Sequence, residues 1–163
     1  MIEPKNLNVQ TTSSKSEESL SPELKLENED LKKDILPKLV SGEIVGTLAV
    51  TEDFLAPTSS NITTEVSNNK ITGKKIAVPD AGIATHSIIV CKSSNGIDLR
   101  LIDLSDKSLS ISSQETVDGS RGHFCMELDN TPSLLVGDEN NGWELYESII
   151  NQAAVLFSFE QVG

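Results

Sequence analysis

Residues 86–104, HSIIVCKSSNGIDLRLIDL, decide the fold class that the sequence predicts. Two segments rich in Ile, Val and Leu are separated by a short run of Ser, Asn and Gly, which favour tight turns. Strands at this separation are expected to pair antiparallel rather than through a helical crossover. The stretch therefore predicts a β-hairpin.

The same pattern, short apolar segments separated by turn residues, extends on both sides of this hairpin from Glu43 to about Asp129. The separators SNNK, DLSDKS and DGSRG again consist largely of turn residues. The sequence predicts a mainly β domain over residues 43–137, a small antiparallel β-barrel or β-sandwich. Its other predicted strands are IVGTLAV (44–50), NITTEV (61–66), KITGKKIAV (70–78), SLSISS (108–113) and HFCMELD (123–129).

A helical piece is predicted before the β domain, at residues 28–42, and the mostly polar segment 1–27 is predicted to be a disordered lead-in. Ser21–Pro22 and Asn28–Asp30, a polar cap followed by Glu29 and Asp30, both suit a helix start. Pro37 is expected to break or restart the helix because proline lacks an amide, and Gly42 is expected to provide the exit. The apolar residues that would share one helical face are Leu31, Ile35 and Leu39.

A C-terminal amphipathic helix is predicted within residues 138–163, after an Asn-rich cap. Its apolar side chains cover more of the circumference than one β domain can bury, so the rest is expected to pack on helices outside this chain. We interpret it as the first helix of a truncated C-terminal domain. The apolar residues are Trp143, Leu145, Tyr146, Ile149, Ile150, Ala153, Leu156, Phe157 and Phe159.

Composition excludes several classes of function. A net charge of -12 argues against a nucleic-acid partner and against binding to an anionic membrane, since both require clustered cations. No apolar run near either end approaches the ~20 residues of a membrane span, and no signal peptide is evident, so a cytoplasmic protein is expected. Cys91 and Cys125 are predicted to be buried or half-buried thiols, and His86 and His123 to be strand residues rather than metal ligands.

Three blocks in order resemble the acyl-CoA dehydrogenases. They are LPKLVSGEIVGTLAVTE (36–52), ITGKKIAVPDAG (71–82) and DNTPSLLVGDENNGWELYESIINQAA (129–154). The second block contains KxxVPDA, which is similar to a divergent branch of that family. The resemblance implies that residues 28–163 correspond to the end of an N-terminal helical domain, the whole β middle domain and the start of a C-terminal helical domain.

The resemblance also implies a function. The family uses FAD to remove two hydrogens from the α and β carbons of an acyl-CoA thioester, with hydride passing to flavin N5. TLAVTE matches the strand that contacts the flavin ring, GKKIAVP matches a second ring-contacting segment, and Thr58 and Ser59 stand near the position of the pyrophosphate turn. The implied cofactor-binding residues are Ala49, Val50, Thr51, Thr58, Ser59, Ala77, Val78 and Pro79.

Several positions depart from the family pattern. Asp53 replaces a proline, Ala77 replaces an aromatic residue that lies against the flavin, and Pro79 replaces a threonine. Ala153 and Ala154 occupy the positions at which some members carry the catalytic glutamate, and neither can accept a proton. No catalytic residue is therefore assigned. The helix acids are expected to be solvated or capping; they are Glu144, Glu147 and Glu160.

Two interpretations follow from the resemblance. In the first, the chain is the middle domain of an acyl-CoA dehydrogenase, inactive alone and completed by helical domains or by a homologous flavin-competent subunit in a homo- or hetero-oligomer. In the second, it is a non-catalytic subunit or remnant that serves as a partner-binding scaffold. A β-sandwich unrelated to the family, binding carbohydrate or peptide, fits the composition but not the order of the blocks. Arg121 matches a family arginine but is equally well interpreted as an exposed turn cation.

Overall fold

The computed structural model describes residues 28–117 and 119–162, so the predicted lead-in at residues 1–27 lies outside the described residues. Within them, a helix stands at each end of a mainly β unit. The helices are α1 (Asn28–Ser41) and α2 (Gly142–Val162). The strands are β1 (Gly46–Ala49), β2 (Glu65–Ser67), β3 (Lys70–Pro79), β4 (His86–Lys92), β5 (Ile97–Asp103), β6 (Leu109–Gln114), β7 (His123–Pro132) and β8 (Leu134–Val136).

The strands form one sheet in the order β6-β7-β3-β2-β4-β5-β8, with β1 paired to β4. The predicted hairpin is confirmed, since β4 and β5 pair antiparallel from His86↔Asp103 to Lys92↔Ile97. Most other pairs are antiparallel as well, but β1 and β2 both run parallel to β4. The predicted mainly β, mostly antiparallel fold is therefore confirmed.

The prediction that the sheet closes into a barrel is wrong. In the described part of the chain, β6 pairs only with β7 and β8 pairs only with β5, so these strands form two open edges. β8 is only three residues long, and Gly137, with a φ of 80°, turns the chain away directly after it. That leaves little edge with which β6 could pair. The sequence interpretation also missed β8, which is not among the predicted strands.

Two apolar cores lie on opposite faces of β4. The first contains Ile89 and Cys91 and joins them to Ile71 of β3 and Met126 of β7. The second contains the alternate residue Val90 and extends to β5 and the start of α2. β5 is buried on both faces, and the two charged residues within its buried part, Asp98 and Arg100, pair with each other.

Helix α1 continues through Pro37 to Ser41, so the predicted break is wrong. Proline removes one amide, and the helix is exposed around it, where water can hydrate the carbonyl that loses its partner. Leu31 is buried, whereas Leu39 on the predicted apolar face is exposed. Gly42 follows the helix with a φ of 77° and donates its amide to the Leu39 carbonyl, which confirms the predicted exit.

Helix α2 confirms the predicted C-terminal helix, and within the described residues it is anchored at its beginning. A Cβ at Gly142 would lie 2.6 Å from the backbone of Asp98 and Leu99, so this glycine allows the helix to start directly on β5. Trp143, Leu145 and Tyr146 pack against the second core. No described helix is long and apolar enough to span a membrane. The exposed apolar residues of α2 are Ile149, Ile150, Val155, Leu156, Phe157, Phe159 and Val162.

Two further predictions, the burial of the cysteines and the strand positions of the histidines, are confirmed. Cys91 and Cys125 are free and buried. Burial raises the pKa of the Cys91 thiol to about 12, which keeps it protonated and unreactive. His86 and His123 are strand residues, at the starts of β4 and β7.

Candidate functional site

The TLAVTE segment leaves β1 with its side chains divided between the two cores. Ala49 is buried in the first core and Val50 in the second. Thr51 is half-buried, and its carbonyl accepts the Ile76 amide at 2.8 Å, which joins this segment to β3. Its hydroxyl has no protein partner among the residues that the structure describes. Thr51 is therefore the member of this segment whose side chain can donate to a bound molecule.

The second predicted segment lies at a β-bulge. Lys75 pairs with Met126 and Val78 with Phe124, so two residues of β3 oppose a single residue of β7. One of the two is Ala77, which is exposed and has a φ of 52°. Bulges commonly re-aim a side chain at a functional site. The position where the resemblance expects an aromatic residue therefore points outward from the sheet.

Gln114 at the end of β6 supports this bulge, and sequence reasoning did not identify it. Its Oε1 atom accepts the Ala77 amide at 2.6 Å, so the bulged backbone has a side-chain partner in place of a ladder bond. Pro79 is fixed through its carbonyl, which accepts the Thr47 hydroxyl at 2.6 Å. Val78 is buried in the first core. Because the Val78 side chain is buried, Val78 could contact a ligand only through its backbone groups.

A buried ion pair connects the two segments. The Lys75 side chain is 0% exposed and its Nζ lies 2.7 Å from Glu52 Oε1 and 3.0 Å from the Val50 carbonyl. Burial alone would raise the pKa of Glu52, but hydrogen bonds from Lys75 and Thr63 outweigh it and hold that pKa at about 2. Burial lowers the pKa of Lys75, opposed by the bond to Glu52. We assign the pair as charged, because both partners are hydrogen-bonded.

The loop at 53–62 carries the predicted pyrophosphate contacts on its surface. Thr58 and Ser59 are exposed. The Thr58 amide donates to Asn61 Oδ1 at 2.7 Å, and the Asn61 amide donates to the Thr58 carbonyl at 3.1 Å, which closes a tight turn. Within the described residues, the Ser59 hydroxyl has no protein partner. The structure therefore joins 49–51 directly to 76–79 but joins Thr58 and Ser59 to them only through the loop ends.

The remaining candidate residues do not form a catalytic group. Arg121 is 65% exposed and its Nε donates to Asp80 Oδ2 at 2.7 Å, in the turn after β3. Ala153 is half-buried and Ala154 is exposed on α2. The helix acids are exposed as predicted, and one of them, Glu147, accepts the Trp143 indole N–H at 2.9 Å. The helix acids are Glu144, Glu147 and Glu160.

The fold matches solved acyl-CoA dehydrogenases. An acyl-CoA dehydrogenase from Geobacillus kaustophilus aligns with a TM-score of 0.67 at 20% identity, covering 74% of this chain and 36% of that one. This chain has an acyl-CoA dehydrogenase fold. The ChsE4-ChsE5 complex from Mycobacterium tuberculosis aligns with a TM-score of 0.66 at 17% identity, covering 76% of this chain and 35% of that one. The predicted family resemblance is thereby confirmed at the level of the fold.

A third acyl-CoA dehydrogenase fold was solved with a flavin. A glutaryl-CoA dehydrogenase from Mycobacterium smegmatis in complex with FADH2 aligns with a TM-score of 0.56 at 18% identity, covering 66% of this chain and 29% of that one. The chain thus spans about a third of the length of these proteins. No protein-family model and no curated protein matches it.

Proposed function

We propose that this chain provides the flavin-facing β domain of an acyl-CoA dehydrogenase, an oxidoreductase that acts on acyl-CoA thioesters. The observation that carries the proposal is the junction of the two segments that the resemblance assigns to the flavin, made by the bond from the Ile76 amide to the Thr51 carbonyl. These segments are separated in sequence but lie side by side at the end of β1 and the bulge of β3. A planar heterocycle needs such a surface of closely spaced polar groups.

The residues present fit part of what a flavin requires. The Thr51 hydroxyl can donate to the ring, and the Ser59 hydroxyl can donate to a phosphate. The carbonyls of Val50 and Thr51 each already accept one bond and retain a second lone pair. The aromatic face is absent at Ala77, so stacking must come from elsewhere, and we expect weak affinity for FAD.

The chemistry divides between this chain and its proposed partners. Bound FAD would supply the hydride acceptor for α,β-dehydrogenation of the thioester. The chain's own residues would hold the flavin ring at the Thr51 hydroxyl and at the carbonyls of Val50 and Thr51. Removal of the α-proton needs a carboxylate, which the methyl groups of Ala153 and Ala154 cannot supply. Turnover therefore requires a base from another helix or another subunit.

Helix α2 supports a role for partner helices. Beyond its first turns it exposes a row of large apolar side chains, including Leu156, Phe157 and Phe159. Contiguous exposed apolar surface of this kind marks an interaction site. We propose that the helices that cover it belong to the same flavoenzyme, whether they come from the longer protein or from a homologous subunit.

A FAD titration followed by visible absorption tests the proposal, first on the chain and then on its complex with co-purified subunits. The matched control is Thr51→Val, which keeps the shape of the side chain and removes the hydroxyl. We expect bound flavin in the complex and about 5- to 20-fold weaker binding by the variant, the range for one lost hydrogen bond. Equal affinity of the variant and the wild type would contradict the site. Absence of flavin from both chain and complex would contradict the function.

A non-catalytic scaffold is the second candidate function. The observation that favours it concerns four positions at which the resemblance expects functional side chains. This chain has side chains without polar or aromatic groups there, namely Ala77, Pro79, Ala153 and Ala154. In this case the α2 surface would still bind a flavin-competent homologous subunit. This function would be supported by a complex in which only the partner binds flavin and in which Thr51→Val leaves the FAD affinity unchanged.

A further inference from the structure

Lys75 is the largest of the fully buried side chains, and the proposed flavin site does not use it directly. Its Nζ donates to two acceptors that belong to the TLAVTE segment, the Val50 carbonyl at 3.0 Å and Glu52 Oε1 at 2.7 Å. A buried lysine that served packing alone would leave its ammonium without acceptors, at a large desolvation cost. The Lys75 ammonium therefore connects β3 to that segment.

Glu52 extends the same connection to the far end of the 53–62 loop. Its Oε1 accepts the Thr64 amide at 3.0 Å and its Oε2 accepts the Thr63 amide at 2.6 Å. The Thr63 hydroxyl donates to the same carboxylate. One carboxylate thus accepts bonds from β3 and from both residues that follow Ile62, so it closes the base of the loop that carries Ser59.

The backbone around this group is built for close approach. A Cβ at Gly73 would lie 2.6 Å from the Thr64 hydroxyl and 2.7 Å from the Thr64 Cα, so only glycine lets Thr64 lie against β3 at this point. Thr64 is fully buried, and the Thr64 backbone carbonyl accepts the Lys92 amide at 2.7 Å. Thr64 is therefore held from both sides.

We propose that Lys75 and Glu52 are positioning residues that set the relative placement of all three predicted flavin-contact segments, 49–51, 58–59 and 77–79. We call the group formed by Val50, Glu52, Thr63, Thr64 and Lys75 the ion-pair junction. It fixes the first segment through Val50 and the second through the loop base. It fixes the third because Lys75 immediately precedes the bulge. The inference rests on the proposed function for the identity of the ligand, but the junction itself is defined by protein contacts alone.

Glu52→Gln is the test, because an amide nitrogen cannot accept the bonds that a carboxylate oxygen accepts. Thr63→Val removes a single hydroxyl bond and serves as a milder second variant. Asp98→Asn is the matched control. Asp98 is also buried and also ion-paired, with Oδ2 2.6 Å from Arg100 Nη2, but its Oδ1 accepts the Asn140 amide, away from the junction. Amide exchange in the variants and the wild type is compared at denaturant concentrations that give equal free energies of global unfolding.

Amide hydrogen exchange by NMR and FAD affinity are the two readouts. We expect Glu52→Gln to accelerate exchange about tenfold or more at the Thr63, Thr64 and Ile76 amides and to weaken FAD binding about tenfold, with smaller changes of the same kind for Thr63→Val. Asp98→Asn should accelerate exchange at Asn140 and leave FAD affinity within about twofold.

Two outcomes overturn the inference. Exchange that rises uniformly along the sheet in Glu52→Gln would show that the pair only stabilises the fold, and so would an equal loss of FAD affinity in Asp98→Asn. Absence of FAD binding by the wild type is a different failure, because it refutes the proposed function, while the exchange pattern still decides whether the junction positions the three segments.

Discussion

The described residues contain two buried ion pairs, which have similar geometry and differ in what they connect. Asp98 and Arg100 lie two residues apart on β5, so their pairing links neighbours within one strand. Their outer bonds reach the turn at Asn69, which accepts from Arg100 Nη1 at 2.8 Å, and the amide of Asn140 before α2. Lys75 and Glu52 instead belong to segments that no strand ladder joins.

The two pairs show two uses of buried charge in this fold. The Asp98 pair secures the sheet to the elements around it, at a place where α2 already begins on β5. The Lys75 pair replaces missing strand pairing, because the TLAVTE segment leaves β1 after Ala49 and continues without a ladder partner of its own. A pair of the second kind determines the geometry of a surface, and that surface is the proposed flavin site.

The largest expected effect comes from Lys75→Met, which keeps the aliphatic stem and leaves the Glu52 carboxylate buried without its cation. We expect a loss of about 3–5 kcal/mol in the free energy of unfolding, measured by urea denaturation. Lys74→Met is the matched control, since the neighbouring Lys74–Glu127 pair, at 3.1 Å, is exposed. Its loss should stay below about 1 kcal/mol, as for other surface pairs. Equal losses in the two variants would remove the distinction between the pairs.

Acid sensitivity should trace to Glu52. Its pKa is about 2 in the folded chain against an ordinary value of 4.5, so between these values the unfolded chain binds more protons. The stability that it contributes is therefore fully present above about pH 5 and is lost as the pH falls toward 2, a total of about 3 kcal/mol.

Glu52→Gln should remove this component from the pH dependence of the unfolding free energy, measured by denaturant titrations between about pH 6 and 2. Asp98→Asn, the corresponding change in the other buried pair, should retain it. An undiminished acid dependence in Glu52→Gln would place the responsible carboxylate elsewhere.

The smallest effect concerns the connection between the Asp98 pair and α2. In Gly142→Ala the new Cβ would meet the backbone of Asp98 and Leu99 at 2.6 Å, so the helix start must move away from β5. We expect a thermal unfolding midpoint that corresponds to a loss of about 1–3 kcal/mol. Gly119→Ala is the control, because a Cβ there meets nothing within 4 Å. Unchanged midpoints in both variants would show that α2 is not anchored at this glycine.

Local pattern accounts for the elements that were predicted correctly. β4 and β5 were found because β-branched and Leu residues flank a run of turn residues, a signal that needs no distant partner. Helix α2 was found because its apolar residues recur at helical spacing. Its exposed Leu156, Phe157 and Phe159 also agree with the expectation of further helices, since a single sheet offers only one side to a helix.

Pairing partners account for most of what was missed. β8 has three residues and is a strand only because β5 is beside it. The open sheet and the two parallel pairs along β4 depend on where distant strands meet, which no local signal encodes. Gln114 stands at the end of a polar strand, and only the bulge opposite it gives its side chain a role.

From the sequence alone it followed that this protein is mainly β with a helix at either end, that its thiols are buried, and that its blocks follow the order of the acyl-CoA dehydrogenases. The spacing of apolar residues, the residue types in turns and the order of the blocks are all properties of the linear sequence. The burial of Lys75 against Glu52 becomes visible only in the folded structure, because a lysine in a strand is ordinarily a surface residue. Its burial depends on acceptors that lie 25 and 23 residues away and come within reach only when the sheet has formed.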